Sequence, residues 1–136
     1  MYIPVVILIV NRSNRIKFPC GFMKISYFRN KADKAFQQWF MSKNPKCEVC
    51  GKGAVCGHHY ISKAASSALR YYAGNMIPVC MGCHCKLHSK FAPELNSEIT
   101  LKRGKAWFKQ LQLERRKTVK VGVKYYKEIS YFCSCR

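Results

Sequence analysis

The first 45 residues change their hydrophobic period part-way along. Residues 1–29 open with the apolar run MYIPVVILIV and also contain prolines and a glycine, a pattern that favours one or two short strands with turns. From Asn30 to Lys43 the apolar residues recur at helical spacing, at Ala32, Ala35, Phe36, Trp39 and Phe40. This spacing predicts an amphipathic helix whose aromatic face packs on the next segment.

The last part of the chain, residues 94–136, is predicted to hold a basic helix and a tail. In ELNSEITLKRGKAWFKQLQLERRK the spaced positions are Leu101, Ala106, Trp107, Leu111 and Glu114. They predict a helix with one packed face and one cationic face, in which Trp107 and Phe108 pack in the core rather than stack on bases. The tail KYYKEISYFCSCR is aromatic and β-prone. Its cysteines, Cys133 and Cys135, are spaced poorly for zinc and are expected to be free thiols.

The charge of the chain indicates a polyanionic partner. There are 25 Lys and Arg against 6 Asp and Glu, a net charge of +19 in 136 residues, so the surface repels itself unless an anion covers it. Nucleic acid is the favoured partner; an anionic membrane surface and a merely solvated basic surface remain open. The apolar start is about half the length of a membrane span and lacks signal-peptide features. We therefore expect a single soluble domain in the cytoplasm, that of a bacterial host if the chain is phage-encoded.

The central segment, residues 46–90, carries two CxxC pairs, CEVC and CMGC. Nine cysteines in total is an odd number, and paired spacing of this kind favours metal in a reducing compartment over disulfides. Two CxxC turns together supply the four thiolates of a tetrahedral structural zinc, here Cys47, Cys50, Cys80 and Cys83. Cys56 and Cys85 are spare in this scheme. Either could replace a member of the quartet, but their less regular spacing favours small buried or surface thiols. The zinc is expected to contribute on the order of 10 kcal/mol to folding.

The same segment holds all four histidines of the chain. His84 and His88 lie four residues apart, so on a helix their rings share one face and can chelate one ion. His58 and His59 are adjacent, so in a strand they point to opposite sides. This division suits a metal-dependent phosphodiesterase, in which one histidine holds metal and its neighbour takes a proton from water. Asn75 can orient the base by accepting the Nδ1 proton of His59, leaving Nε2 facing the water.

These motifs resemble the HNH endonuclease superfamily with its ββα-metal core. The resemblance rests on Cys47-x-x-Cys50, His58-His59, Asn75, Cys80-x-x-Cys83-His84 and His84-x-x-x-His88. It covers about residues 46–90. The stretch GHHYISKAASSALRYYAGNMIPVCMGCH, with KADKAFQQWF before it, is further similar to phage recombination proteins of the NinG type. Those proteins usually have a single histidine before Tyr-Ile-Ser and lack the terminal Cys-His of this knuckle.

The resemblance implies a fold and an activity. The fold is α+β: a small zinc-stabilised ββα-metal, treble-clef-like core, flanked by N-terminal strands with an amphipathic helix (residues 1–45) and by the C-terminal basic helix and tail (94–136). The activity is hydrolysis of DNA by one metal ion, leaving 5′-phosphate and 3′-hydroxyl ends, in phage-type DNA processing or recombination. His59 is then the general base, Asn75 orients it, and the catalytic metal is bound by His58, His84 and His88.

Many members have Asp where this chain has His58. Three neutral imidazoles suit Zn²⁺, Ni²⁺, Co²⁺ or Mn²⁺ better than Mg²⁺, which prefers oxygen ligands. A site more tolerant of transition metals is therefore expected here.

Two alternatives stay open from sequence. Lys63, Arg70, Lys86 and Lys90 are candidate phosphate contacts or general basic surface. The whole protein can also be a catalytically inactive basic zinc-ribbon protein that binds DNA or RNA. The chain has no separate DNA-reading domain, which favours low sequence specificity or recognition of branched or single-stranded DNA. The sequence leaves the oligomeric state open.

Overall fold

The computed structural model describes residues 24–135, and its helices surround one small sheet. In chain order the elements are α1 (Ile25–Lys43), β1 (Cys56–His59), a 3₁₀ turn (Ala73–Asn75), β2 (Met76–Val79), α2 (Met81–Leu87), α3 (Ala92–Arg115) and α4 (Val123–Ser134). The two strands pair antiparallel, with His58 opposite Ile77. The α+β class expected from sequence is confirmed. Within the described range, no helix has the length and apolar character that crossing a bilayer requires.

The hairpin of β1 and β2 has a different core on each face. Ile77 and Val79 belong to a cluster with residues of α2 and α3, among them Leu87 and Ile99. Met76, one position away and therefore on the opposite face, packs with Phe36 and Phe40 of α1 and with Cys133 of α4. The sheet thus separates one core that touches α2 from another that touches α1.

Helix α1 confirms the predicted amphipathic helix and extends it. Its buried residues are Ala32, Phe36 and Phe40, all on the predicted face. It begins at Ile25 rather than Asn30, so the last part of the predicted strand region is helical. One reason is that α4 packs along α1: Lys127 Nζ lies 5.0 Å from the centre of the Phe28 ring, which gives the early turns a tertiary partner. The rest of the predicted N-terminal strands, residues 1–23, lies outside the described residues.

The tail is a helix, and the prediction of β structure there is wrong. Helix α4 buries Tyr126, Ser130 and Cys133, which lie three or four positions apart and so share a helical face. That face contacts α1, where Cys133 joins Phe36 and Phe40. Packing against a neighbouring helix has overridden the β-propensity of the aromatic residues, which depends strongly on context.

Helix α3 is present as predicted, but it does not have one continuous packed face. Leu111 is fully buried, whereas Leu101 is 83% exposed and Ile99 is buried in its place. The helix is bent at Gly104, which has φ +84° and ψ 165°, a conformation that glycine adopts readily and other residues rarely do. The bend changes the direction of the packed face, which the uninterrupted periodicity did not reveal.

Candidate active site and metal centres

The first cysteine pair is held by a tight turn at the entrance to the sheet. Gly51 has φ +76°, and its N–H donates to the carbonyl of Cys47 at 2.9 Å. The Cys47 N–H donates in turn to Lys52 O at 2.7 Å, and the Glu48 N–H donates to Pro78 O at 2.9 Å. The turn is therefore closed on itself and joined to β2. Cys47 is buried and Cys50 exposed.

The second cysteine pair forms the start of α2. Cys80 precedes the helix, and its Sγ accepts a hydrogen bond from the Cys83 N–H at 3.5 Å. The Sγ atoms of Cys50 and Cys80 are 3.6 Å apart, and all four sulfurs lie within 4.8 Å of one another. Zn–S bonds of about 2.3 Å in a tetrahedron place sulfurs about 3.8 Å apart. The four predicted cysteines thus form a cluster that fits a structural metal such as zinc.

The thiols of this cluster have strongly separated pKa values. Burial opposes ionisation of Cys47, but hydrogen bonds from neighbouring backbone groups prevail and lower its pKa to about 6. Burial and the adjacent cysteines raise the pKa of Cys83 to about 12. Several thiolates cannot share so small a volume unless a cation compensates their charge. A divalent ion would supply that compensation, since a coordinated thiol is deprotonated outright.

Three histidines from two elements form a second cluster. His58 lies on β1 opposite Ile77 and so faces α2, while His84 lies on α2 and His88 directly follows it. The ring centres of His58 are 5.5 Å from His84 and 5.0 Å from His88. The Nε2 atoms of His84 and His88 are 3.1 Å apart, and one nitrogen of each ring lies within 4.8 Å of the other two. The structure therefore brings together the three residues predicted from sequence.

The electrostatics of this cluster favour neutral imidazoles. Burial, followed by the nearby His88 and His84, lowers the pKa of His58 to about 4. Burial and His88 also lower the pKa of His84. Neutral imidazole is the form that offers a lone pair to a metal. The donor set consequently fits a divalent transition metal without prior loss of protons.

His59 points to the other side of β1, as predicted for adjacent residues of a strand. Its Nε2 lies 2.9 Å from the backbone carbonyl of Arg70. A carbonyl only accepts, so Nε2 carries the proton and Nδ1 keeps the free lone pair. The sequence-based expectation that Nε2 faces the water is therefore wrong. Burial lowers the pKa of His59 despite the opposing effect of this hydrogen bond, so the neutral ring is favoured.

Asn75 is fully buried, but it does not orient His59 directly. Its Oδ1 accepts from the Ile61 N–H at 2.8 Å, and its Nδ2 donates to Ile61 O at 2.9 Å and to Leu69 O at 3.3 Å. The predicted acceptance of a His59 proton is replaced by these backbone contacts. Asn75 instead closes the loop between the strands just before Arg70, the residue whose carbonyl holds His59.

The candidate phosphate contacts differ in their availability. Lys86 and Lys90 are exposed, but Lys86 lies two residues after His84 and so on another face of α2. Lys63 is 45% exposed, and its Nζ lies 3.7 Å from Asp33 Oδ2. Arg70 is instead engaged in a two-pronged ion pair with Asp33, at 2.9 and 2.5 Å, and only 17% of its side chain is exposed. Its predicted role as a free phosphate clamp is therefore corrected to that of a structural partner.

Two acidic residues that sequence reasoning missed complete these contacts. Glu48, between the first two cysteines, pairs with Arg103 of α3 at 2.6 and 2.5 Å. Asp33 pairs with Arg70. Only 6 Asp and Glu occur in this chain, and this scarcity is the one sequence signal by which Glu48 and Asp33 could have been found.

Trp107 packs as predicted, donating Nε1–H to Gly74 O at 2.8 Å. Phe108, which was predicted to pack in the core with it, is instead 38% exposed. The thiols outside the metal cluster, Cys56, Cys85, Cys133 and Cys135, form no disulfide among the described residues. Burial raises the pKa of Cys133 to about 11.

Comparisons with known proteins give no relative from which a function can be transferred. No family model matches the chain. Neither the curated proteins nor the solved structures contain a significant match.

Proposed function

We propose that this protein is a metal-dependent endonuclease of the HNH type that hydrolyses DNA phosphodiester bonds. The observation that carries the proposal is the pairing of two features on one strand. His58 joins His84 and His88 in a cluster of three imidazoles, while the next residue, His59, is fixed in the tautomer that leaves Nδ1 free to accept a proton. One strand thereby supplies a metal ligand and a base on its two faces.

In this proposal His58, His84 and His88 hold the catalytic cation, and the four-cysteine cluster holds a structural zinc. The chemistry that a bound divalent cation supplies is stabilisation of the charge that develops on the phosphate oxygens and the leaving oxygen. His59 accepts a proton from the attacking water at Nδ1. Its other nitrogen remains bonded to Arg70 O, which prevents the ring from turning away. Asn75 maintains the loop that presents this carbonyl.

The proposed substrate follows from the charge and from the exposed lysines. A net charge of +19 favours a polyanion over a small neutral substrate. Lys63, Lys86 and Lys90 are exposed, and each lies within four residues of a histidine of the site in the sequence. These lysines are the proposed phosphate contacts. By the likeness to NinG-type proteins, phage DNA processing or recombination is the proposed setting.

The donor set also bears on the choice of metal. Three imidazoles without a carboxylate favour Mn²⁺, Co²⁺, Ni²⁺ or Zn²⁺ over Mg²⁺, because Mg²⁺ prefers oxygen ligands. We expect cleavage to be faster with these transition metals than with Mg²⁺ at equal concentration.

A nicking assay on supercoiled plasmid, supplemented with each metal in turn, tests the proposal. The wild-type protein should cut, and His59→Ala should lower the rate by roughly 10²- to 10⁴-fold, the usual contribution of a general base. His59→Gln is the sharper variant, because its amide can still donate to Arg70 O but has no basic nitrogen. It should be as inactive as His59→Ala while binding DNA normally in fluorescence polarisation.

Binding of DNA without cleavage by the wild type, under any of these metals, would favour the non-catalytic zinc-ribbon alternative. Near wild-type cleavage by His59→Gln would show that the base is assigned to the wrong residue. A panel of linear, nicked, single-stranded and four-way-junction DNAs then defines the substrate form.

A further inference from the structure

We infer that Asp33, on the helix before the cysteine and histidine core, is a positioning residue that acts through Arg70 to hold His59 in its reactive orientation. This inference rests on the proposed function for its catalytic consequence. Its structural content, an effect of Asp33 on the His59 ring, can be measured independently of cleavage.

The His59 ring depends on a carbonyl in a loop rather than on a side chain. Arg70 O accepts from its Nε2 at 2.9 Å. This carbonyl lies in the long connection between β1 and β2, where no strand ladder holds the backbone. Asn75 restrains the neighbouring Leu69 carbonyl, but its contacts stop one residue short of Arg70. The Arg70 N–H makes one long turn bond, to Ser67 O at 3.3 Å, which leaves the direction of the Arg70 carbonyl to other contacts.

Asp33 supplies such a contact from α1. Its two carboxylate oxygens accept from Nε and a terminal nitrogen of Arg70, a geometry that fixes direction as well as distance. The Tyr71 hydroxyl donates to the same carboxylate at 2.8 Å. Consecutive residues of the loop are therefore tied to one acid, and the peptide unit between them includes the Arg70 carbonyl that contacts His59.

The pair between Asp33 and Arg70 is partly buried, so solvent weakens it less than it would weaken an exposed ion pair. The side chains of Asp33 and Arg70 are 22% and 17% exposed. Burial alone would raise the pKa of Asp33, yet hydrogen bonds from Arg70 and Tyr71 lower it, so the carboxylate is ionised at neutral pH. A partly buried, two-pronged pair of this kind is stronger and more directional than an exposed ion pair.

Gln37 shows that this face of α1 is organised around the strand that carries His59. It lies four residues after Asp33 and so on the same face of the helix. Its side-chain amide donates to Gly57 O at 2.7 Å and accepts from the Gly57 N–H at 2.9 Å. The contact is close, since a Cβ at Gly57 would lie 2.5 Å from Met76 Cε, so a larger residue there would require the Met76 side chain to move. One helix face thus holds both the strand and the loop that position the His59 ring.

The test compares Asp33→Asn with a matched loss of one acid elsewhere, Glu128→Gln. Glu128 is exposed on α4, and its ion pair is weak, with Oε1 4.0 Å from Lys124 Nζ. Asp33→Asn should lower kcat about tenfold or more, because small displacements of a catalytic group are costly. KM for DNA should stay equal or fall, since a negative charge leaves a basic surface. Glu128→Gln should leave kcat unchanged. Asp33→Glu keeps the carboxylate, so its kcat should be close to that of the wild type.

Two further measurements separate positioning from folding and from the proposed function. In long-range ¹⁵N–¹H NMR at neutral pH, wild-type His59 should carry its proton on Nε2, and Asp33→Asn should populate the other tautomer. In a double-mutant cycle, Asp33→Asn should add little to Arg70→Met, because both act on one contact. Zinc content should remain close to wild type in each variant. The unfolding midpoint should fall modestly, as expected for loss of a partly buried ion pair, with every variant still folded at the assay temperature.

The inference fails if Asp33→Asn retains wild-type kcat and tautomer. It also fails if kcat falls only in proportion to lost folded protein, or if the Asp33 and Arg70 effects are additive. If the wild type cuts no DNA but Asp33→Asn still changes the tautomer, the proposed nuclease is wrong and the positioning role stands.

Discussion

The cysteine cluster and the histidine cluster share one short helix, yet their surroundings differ. Cys80 caps the start of α2 and Cys83 lies in its first turn, while His84 follows Cys83 on the helix and His88 caps its end. Cys47 and Cys83 are part of a buried core with Ile77 and Leu87, whereas His88 is exposed. A metal on the cysteines would therefore support the fold, and a metal on the histidines would be open to an incoming substrate.

This difference shows how a small chain can fix a reactive site without a large core. Cys80 caps α2 with its sulfur, so whatever orders the cysteines also sets the direction of the helix that aims the imidazoles. Glu48 and Arg103 reinforce the arrangement by joining the first cysteine turn to α3, and Arg103 also donates to Met76 O at 2.9 Å. The structural cluster is thus connected to the strand that follows Asn75.

Loss of a buried cysteine should have the largest effect. Cys83→Ser removes a sulfur in the first turn of α2 and should abolish tight zinc binding. The free energy of unfolding should then lose much of the roughly 10 kcal/mol that a structural zinc contributes. We expect cooperative unfolding of residues 46–90, measured by zinc release and by circular dichroism. Cys85→Ser, an exposed thiol two residues on, is the control and should keep zinc. A folded, zinc-bound Cys83→Ser protein would contradict the structural assignment of the cluster.

Loss of a histidine should separate metal binding from folding. His84→Ala should leave the zinc on the cysteines and the free energy of unfolding within about 0.5 kcal/mol of wild type, as for most surface changes. It should remove the second metal equivalent in isothermal titration. Cleavage should fall by more than about a hundredfold, since even residues that only support a ligand cost 10- to 100-fold. Unfolding of this variant would mean that the histidine cluster is itself structural.

A smaller effect is expected for substitution of Glu48, the acid that joins the first cysteine turn to α3. Glu48→Gln breaks a pair whose side chains are 15% and 19% exposed, and should cost about 1–3 kcal/mol in the free energy of unfolding, less than a fully buried pair. Urea denaturation of the zinc-bound protein measures this, with the exposed Glu128→Gln as the control. Zinc stoichiometry should not change. Equal stability of both variants would show that the contact with Arg103 is dispensable.

The sequence by itself determined the chemistry that is local in the chain. The CxxC spacing identified all four cysteines, because two thiols in a tight turn can reach one ion whatever the surrounding fold. The spacing of His84 and His88 and the alternation of His58 and His59 identified the three-imidazole cluster, because helical and strand periods are set by the backbone. The buried face of α1 was likewise predicted correctly from the helical spacing of its apolar and aromatic residues.

Only the tertiary structure decided the contacts between distant residues. The tail is helical because α1 offers a face for it, and α3 bends at Gly104, so Leu101 faces solvent. Nothing in the local pattern of Asn75 or Arg70 indicates that the first holds a loop and the second pairs with Asp33. Those partners lie 14 and 37 residues apart in sequence. Hydrogen bonds depend on distance and direction in space, which no local period encodes, so the tautomer of His59 was settled by the fold.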